Sequence, residues 1–212
     1  GIPASYESLF PKHAEALHET CDISDFIWSY GYMLMATGDV KWADKMESAV
    51  YNAALGAINK DFKALQYFSS PNQLLATEKS SMAPYGEEGL SRQAYRPGFD
   101  VECCSGNVHR MFPNYISRMW MNGDEHEIVA ALYGPSEYRT EINGTKVCIT
   151  EDTSYPFSGK ITFRFALDGA PVRIPFTMRI PSWVENAKLT VNAEQPKEYH
   201  AGGFSTIERR FK

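Results

Sequence analysis

Residues 160–180 read KITFRFALDGAPVRIPFTMRI, and the texture of this stretch decides how the second half of the chain folds. Ile161, Phe163, Phe165 and Leu167 fall on one side of an extended backbone while Lys160, Thr162 and Arg164 fall on the other, the two-residue period of a half-buried strand. Similar short runs occur at 128–133, 146–150, 172–180, 188–191 and 204–211, with turn residues between them. Asn143-Gly144 is a strong hairpin-turn signal, because both residues tolerate positive φ. Strands at this spacing imply an antiparallel β-sandwich over residues 124–212.

Upstream of residue 123 the period changes from two to three and four. Ile23, Phe26, Ile27, Tyr30, Met33 and Leu34 predict an amphipathic helix over 22–37. Gly38 supplies its left-handed cap, and Asp39 can cap a following helix whose apolar stripe is Trp42, Met46, Ala49, Val50 and Ala53. A third pattern uses Val108, Met111, Phe112, Tyr115, Ile116 and Met119. Pro113 must sit in its first turn or kink it, so regular helix is expected mainly over 113–121. The connection over 62–100 is long for a bare loop and is expected to be functional or partly stranded. The fold class is therefore α+β, a helical segment at 1–123 followed by the sandwich.

The composition narrows the function. With 43% apolar and 22% charged residues, the chain can bury a sizeable core. A formal net charge of -5 without a Lys/Arg run leaves no footprint for nucleic acid. No stretch approaches the roughly 20 apolar residues of a membrane span. Four cysteines are too few for a disulfide scaffold, and Cys103 and Cys104 are adjacent.

Two distant segments, Glu19-Thr20-Cys21 and Cys103-Cys104, together offer four metal ligands. Residues i and i+2 point the same way in an extended backbone, so Glu19 and Cys21 could grip one ion just before a helix begins. The adjacent cysteines need a turn, for which Ser105-Gly106-Asn107 is suited. Three sulfurs and a carboxylate match tetrahedral Zn2+. The plainer alternative is that these are small buried cysteines. Cys148, alternating with Val147 and Ile149, reads as a strand residue. His109 reads as a local hydrogen-bonder rather than a ligand.

Residues 1–21 (GIPASYESLFPKHAEALHETC), 42–55 (WADKMESAVYNAAL) and 102–121 (ECCSGNVHRMFPNYISRMWM) resemble glycoside hydrolase family 127, the β-L-arabinofuranosidases. MRIPSW at 178–183, followed by LTVN at 189–192, resembles the sandwich that follows their catalytic barrel. The resemblance implies that 1–123 is the C-terminal portion of an (α/α)6 barrel whose earlier helices are missing from this chain, so that the piece alone would be inactive. It also implies zinc held by Glu19, Cys21, Cys103 and Cys104, with Cys103 as nucleophile. Glu7 is the implied acid/base, with Glu15 its competitor. Glu47, in the E-x-x-x-Y-N pattern, and Tyr67 are the implied contacts to an oligosaccharide or polysaccharide substrate. Glu47 reads equally as a solvated helix residue, and Tyr67 equally as a core or interface tyrosine.

On this basis the leading expectation is a retaining, zinc-thiolate glycosidase. A zinc-hydroxide hydrolase would need an open coordination position that four protein ligands close. A noncatalytic carbohydrate-binding or structural module would use the zinc only as a staple. An incomplete barrel would also present an apolar face suited to pairing with another chain, which leaves a homo-oligomer open. The compartment is not legible.

Overall fold

The structure is a computed structural model and describes residues 17–70, 73, 75–77 and 92–212. The chain divides into two compact units, one formed by Gly1–Ala36 with Lys45–Tyr115 and the other by Thr37–Asp44 with Ile116–Lys212. Among the described residues no helix is long and apolar enough to cross a membrane.

In the first unit a two-residue strand β1 (His18–Glu19) pairs antiparallel with β2 (Phe68–Ser69), and helix α1 (Thr20–Thr37) starts directly after β1. Its stripe of Ile23, Ile27, Tyr30 and Leu34 is buried, as the spacing requires. Met33, expected in that stripe, instead joins Trp28, Tyr32 and Met35 among the exposed apolar side chains. Gly38 takes φ +63° at the helix end, and Asp39 Oδ1 accepts the Lys41 N–H at 3.0 Å.

Helix α2 (Val40–Ser48) runs into a π-helical turn, Ala49–Ala54, before closing as α3 (Leu55–Ala57). The wider turn accommodates an extra residue, and the buried stripe of Met46, Ala49 and Val50 continues to Ala54 instead of Ala53. The long connection is partly stranded, since it contains β2, and Leu65 bridges to both Ile58 and Arg96.

The third helix is shorter than its periodicity suggests. Helix α4 (Cys103–Asn107), a 3-10 turn (Val108–Arg110) and α5 (Met111–Ile116) follow one another, with Pro113 in the first turn of α5. Residues 120 and 121, expected to be helical, are instead strand. In the second unit, β3 (Trp120–Asn122) pairs Trp120 with Ala130, and the indole stacks on Tyr138 with centroids 5.4 Å apart. The indole N–H also donates to Ser136 Oγ at 3.0 Å. Cross-strand packing of an aromatic residue here outweighs helical period.

Two sheets make up the sandwich. β11 (Gly203–Phe211), β8 (Val172–Ile180), β4 (Ile128–Ala130) and β3 lie side by side in that order, with β4 running parallel to β8. β5 (Ser136–Ile142), β6 (Thr145–Thr153) and β7 (Ile161–Asp168) form an antiparallel meander. Asn143 and Gly144 both have positive φ and join β5 to β6 as expected. Phe163 and Phe165 of β7 meet Phe176 of β8 at centroid distances of 4.9 and 5.1 Å, which marks the aromatic core between the sheets. A small hairpin of β9 (Ala187–Leu189) and β10 (Lys197–Tyr199) completes the unit. Cys148 lies in β6, half-buried and free.

Two buried polar groups in this unit have partners that periodicity cannot reveal. Arg179 donates to the Ala131 carbonyl at 2.7 Å and to Asp44 Oδ1 at 2.5 Å. Glu151 accepts the Gly134 N–H at 3.0 Å and the Ser136 hydroxyl at 3.1 Å. Burial raises the Glu151 carboxyl from the usual 4.5 to about 7, against the pull of those two donors. The folded state therefore holds this proton more tightly than the unfolded chain does. The associated stabilisation is complete below about pH 4.5 and is lost as pH rises through about 7. Glu151→Gln, which keeps one acceptor and adds a donor, should flatten this part of the stability–pH curve. Urea unfolding at pH 5 to 8 measures it, and a slope identical to that of the wild type would refute the assignment.

Candidate metal and thiolate centre

The candidate site grows from the junction of β1 and α1. Glu19 pairs with Phe68 as the last residue of the strand, and the Thr20 N–H then donates to the Tyr67 carbonyl at 3.0 Å. The Thr20 hydroxyl donates to the Gln66 carbonyl at 2.6 Å. These bonds hold Glu19 in extended backbone while Cys21 already lies in the first helical turn. The expectation that both sit on one extended segment is therefore corrected. A strand-to-helix transition brings them together.

On the opposite side, the turn required by the vicinal cysteines is helical. Cys103 and Cys104 open α4, and the Gly106 N–H donates back to the Glu102 carbonyl at 2.9 Å. Neighbouring residues on a helix diverge by about 100°. Cys104 is accordingly 0% exposed whereas Cys103 is exposed.

Ligand atoms of Glu19, Cys21, Cys103 and Cys104 all lie within 4.8 Å of one another. Cys21 Sγ and Cys104 Sγ are 3.4 Å apart, and Glu19 Oε1 is 3.3 Å from Cys103 Sγ and 3.6 Å from Cys104 Sγ. Tetrahedral zinc with Zn–S of about 2.3 Å needs sulfurs about 3.8 Å apart, so the donor set fits such an ion with little rearrangement. The shared hydrogen bond with Cys104 draws the Cys21 thiol from 9.0 down to about 7, against burial. The same bond, together with burial, pushes Cys104 up, and burial pushes Cys103 up. A cluster that resists losing its second and third protons by itself is one that a divalent cation would deprotonate.

The other sequence-predicted residues divide. The Tyr67 hydroxyl lies 3.0 Å from Cys103 Sγ, and its ring packs edge-on against Phe68 and Phe99. Expected as a sugar contact, Tyr67 directs its one polar atom at a thiol. Glu47 lies in α2 and is 6% exposed, so its solvated reading fails, and it is not among the four converging ligands. Glu7 and its competitor Glu15 lie outside the described residues. His109 is exposed. Sequence reasoning passed over Asn107, whose side-chain N–H reaches Cys21 Sγ at 3.2 Å, and Arg110, which donates to Asn107 Oδ1 at 2.9 Å. Their three-residue spacing along one helical face was the available signal.

Residues 4–117 match the family model described as the catalytic domain of the GH127 beta-L-arabinofuranosidases, and residues 127–212 match that of the GH127 middle domain. Among solved structures, Ara127N-Se, a GH127 beta-L-arabinofuranosidase from Geobacillus stearothermophilus T6, superposes with a TM-score of 0.74. It is 24% identical, over 93% of this chain and 30% of its own. A GH127 beta-arabinofuranosidase designated BT3674 gives 0.76 at 21% identity, over 100% of this chain and 34% of its own. A third structure, described as a glycoside hydrolase, gives 0.70 at 23% identity, over 93% and 31%. The chain thus spans about a third of the length of these proteins. Comparison with curated proteins finds no match.

The Tyr67 hydroxyl is the group that favours ionisation of Cys103, where burial opposes it. Tyr67→Phe should slow alkylation of Cys103 by iodoacetamide about tenfold in metal-free protein at neutral pH, the equivalent of one hydrogen bond to a charged group. Mass spectrometry of the Cys103 peptide measures the rate. An unchanged rate would mean the phenol does not act on this sulfur.

Proposed function

Since the chain belongs to glycoside hydrolase family 127, with its catalytic and middle domains both matched, we propose that it forms part of a retaining glycosidase acting on β-L-arabinofuranosides or a related plant-polysaccharide sugar. The observation that carries this reading is the convergence of Glu19, Cys21, Cys103 and Cys104, with Cys103 as the exposed member. The helical unit, residues 1–123 in this reading, is a portion of an (α/α)6 barrel, and 124–212 is the sandwich that follows it. The complete active site then draws on further helices of the barrel.

In the proposed reaction Cys103 Sγ attacks the anomeric carbon as the glycosidic bond breaks, and a carboxylic acid gives its proton to the departing oxygen. In the second step the oxygen of a water molecule attacks the same carbon. The carbon–sulfur bond breaks, Cys103 leaves as thiolate, and the carboxylate takes the water's proton. Glu7 is the proposed acid/base. Glu19, Cys21, Cys103 and Cys104 would hold zinc, which when bound keeps the sulfurs deprotonated near neutrality and stabilises a leaving thiolate. Exposure of Cys103 supports its role as nucleophile, because a sugar can reach that sulfur and not the enclosed Cys104. Glu19 and Tyr67 flank Cys103 Sγ and orient it. Glu47, buried in α2, is the proposed acceptor for sugar hydroxyls, and the Tyr67 ring is the proposed wall beside the sugar.

In the full-length protein, Cys103→Ser should reduce hydrolysis of an aryl β-L-arabinofuranoside by about 10³-fold or more, and an electrophilic furanose analogue should attach covalently to Cys103. Covalent attachment at a different residue would defeat the nucleophile assignment. A loss of thermal stability with full activity retained would instead support a zinc staple.

A further inference from the structure

Cys21, Ser24, Asp25 and Trp28 stand at i, i+3, i+4 and i+7 on α1, a spacing that places them on one helical face. All four engage the segment from Asn107 to Arg110. The Ser24 hydroxyl donates to the Asn107 backbone carbonyl at 3.0 Å, and the Asn107 side-chain N–H reaches Cys21 Sγ at 3.2 Å. Arg110 donates to Asp25 Oδ1 at 2.5 Å, and its guanidinium carbon lies 5.3 Å from the centre of the Trp28 indole. The same guanidinium donates to Asn107 Oδ1 at 2.9 Å.

This arrangement leaves the Asn107 amide one orientation. Guanidinium is a donor only, so the amide oxygen must face Arg110, and the amide N–H groups are left for the Cys21 sulfur. An amide that can neither flip nor swing is a fixed dipole with its positive end on one thiolate. Three thiolates and a carboxylate around a divalent cation carry surplus negative charge, and hydrogen bonds from outside the ligand set are a means of offsetting it. The three sulfurs are treated differently. Cys103 meets a phenol, Cys104 is enclosed against Cys21 and the Tyr67 carbonyl, and Cys21 alone receives an amide N–H held by a salt bridge.

We infer that Asn107, held in place by Arg110 and Asp25, is a positioning residue for Cys21 that keeps this sulfur on the metal while Cys103 is engaged with sugar. The inference rests on the metal centre proposed above. It adds to that centre an outer layer made of α1 and α4 residues that are not themselves ligands. Asn107 and Arg110 act through Cys21, and the effect is read in metal binding rather than in turnover alone.

The test compares wild type, Asn107→Leu and Asp25→Asn in the full-length protein. Zinc affinity is measured by competition with a chromophoric chelator, and the thiolate-to-cobalt charge-transfer band is recorded after loading with Co(II). Asn107→Leu, close in size but without a donor, should bind zinc about tenfold more weakly, with the cobalt band shifted to lower energy. Asp25→Asn removes only the distant counter-ion of Arg110 and should move both readouts in the same direction by a smaller amount. Asp25 is 52% exposed, so this variant keeps the comparison available if Asn107→Leu fails to fold. Wild-type zinc affinity and an unshifted band in the folded variants would overturn the assignment, even if their melting temperatures fall. A wild-type protein that takes up no zinc would overturn the metal centre and this assignment together.

Discussion

The hydrogen bond from the Thr20 N–H to the Tyr67 carbonyl, with the two-residue ladder between β1 and β2, is the constraint on which the candidate centre depends. It anchors Glu19 at the end of an extended segment and starts α1 at the next residue, so that Cys21 turns back toward Glu19. It also places Tyr67, one residue before β2, beside the sulfur of Cys103. A backbone donor buried at a helix start must find a partner, and here the partner comes from the segment that carries Tyr67. Strand pairing, helix initiation and the collection of ligands are thus one local event.

Within the thiolate cluster, chemistry is divided by exposure and by hydrogen bonding rather than by residue type. Adjacent cysteines on a short helix cannot have the same environment, and α4 puts Cys104 inside and Cys103 outside. The easily ionised thiol is Cys21, held by Cys104 and Asn107, whereas the accessible one is Cys103, whose ionisation is opposed by partial desolvation of its sulfur and by the neighbouring Cys21 and Glu19. A metal ion that deprotonates all three would remove this difference in charge, and the difference in reach to a substrate would remain.

Much of the architecture was legible because it rests on periodicity. The alternation at 160–180, the Asn143-Gly144 turn and the stripe from Ile23 to Leu34 all report burial of one face, which a linear sequence records directly. Trp120 was misread because the three-and-four spacing of Tyr115, Ile116 and Met119 ran on toward it, while the forces that place it in a strand come from Ala130 and Tyr138. The four residues that converge were legible by chemical type, as three thiols and a carboxylate that could serve one ion. Asn107, Arg110, Asp44 and Arg179 were not, because a polar residue's role depends on the partner it meets across the fold. Glu151 is the sharpest case. Its two-residue spacing from Val147 and Ile149 puts it on the apolar face of β6, but what makes a carboxyl tolerable there, the donors at Gly134 and Ser136, comes from other strands and turns.

The single face of α1 that carries Cys21, Ser24, Asp25 and Trp28 has a further consequence for how this segment can vary. Each residue inserted or deleted between positions 21 and 28 would rotate everything beyond it by about 100°. A length change of this kind would carry the carboxylate and indole away from Arg110 while leaving Cys21 where it is. The opposite face, with Ile23, Ile27, Tyr30 and Leu34, is packed into the core and is bound by the same residue count. Homologous chains should therefore keep the number of residues in this segment constant.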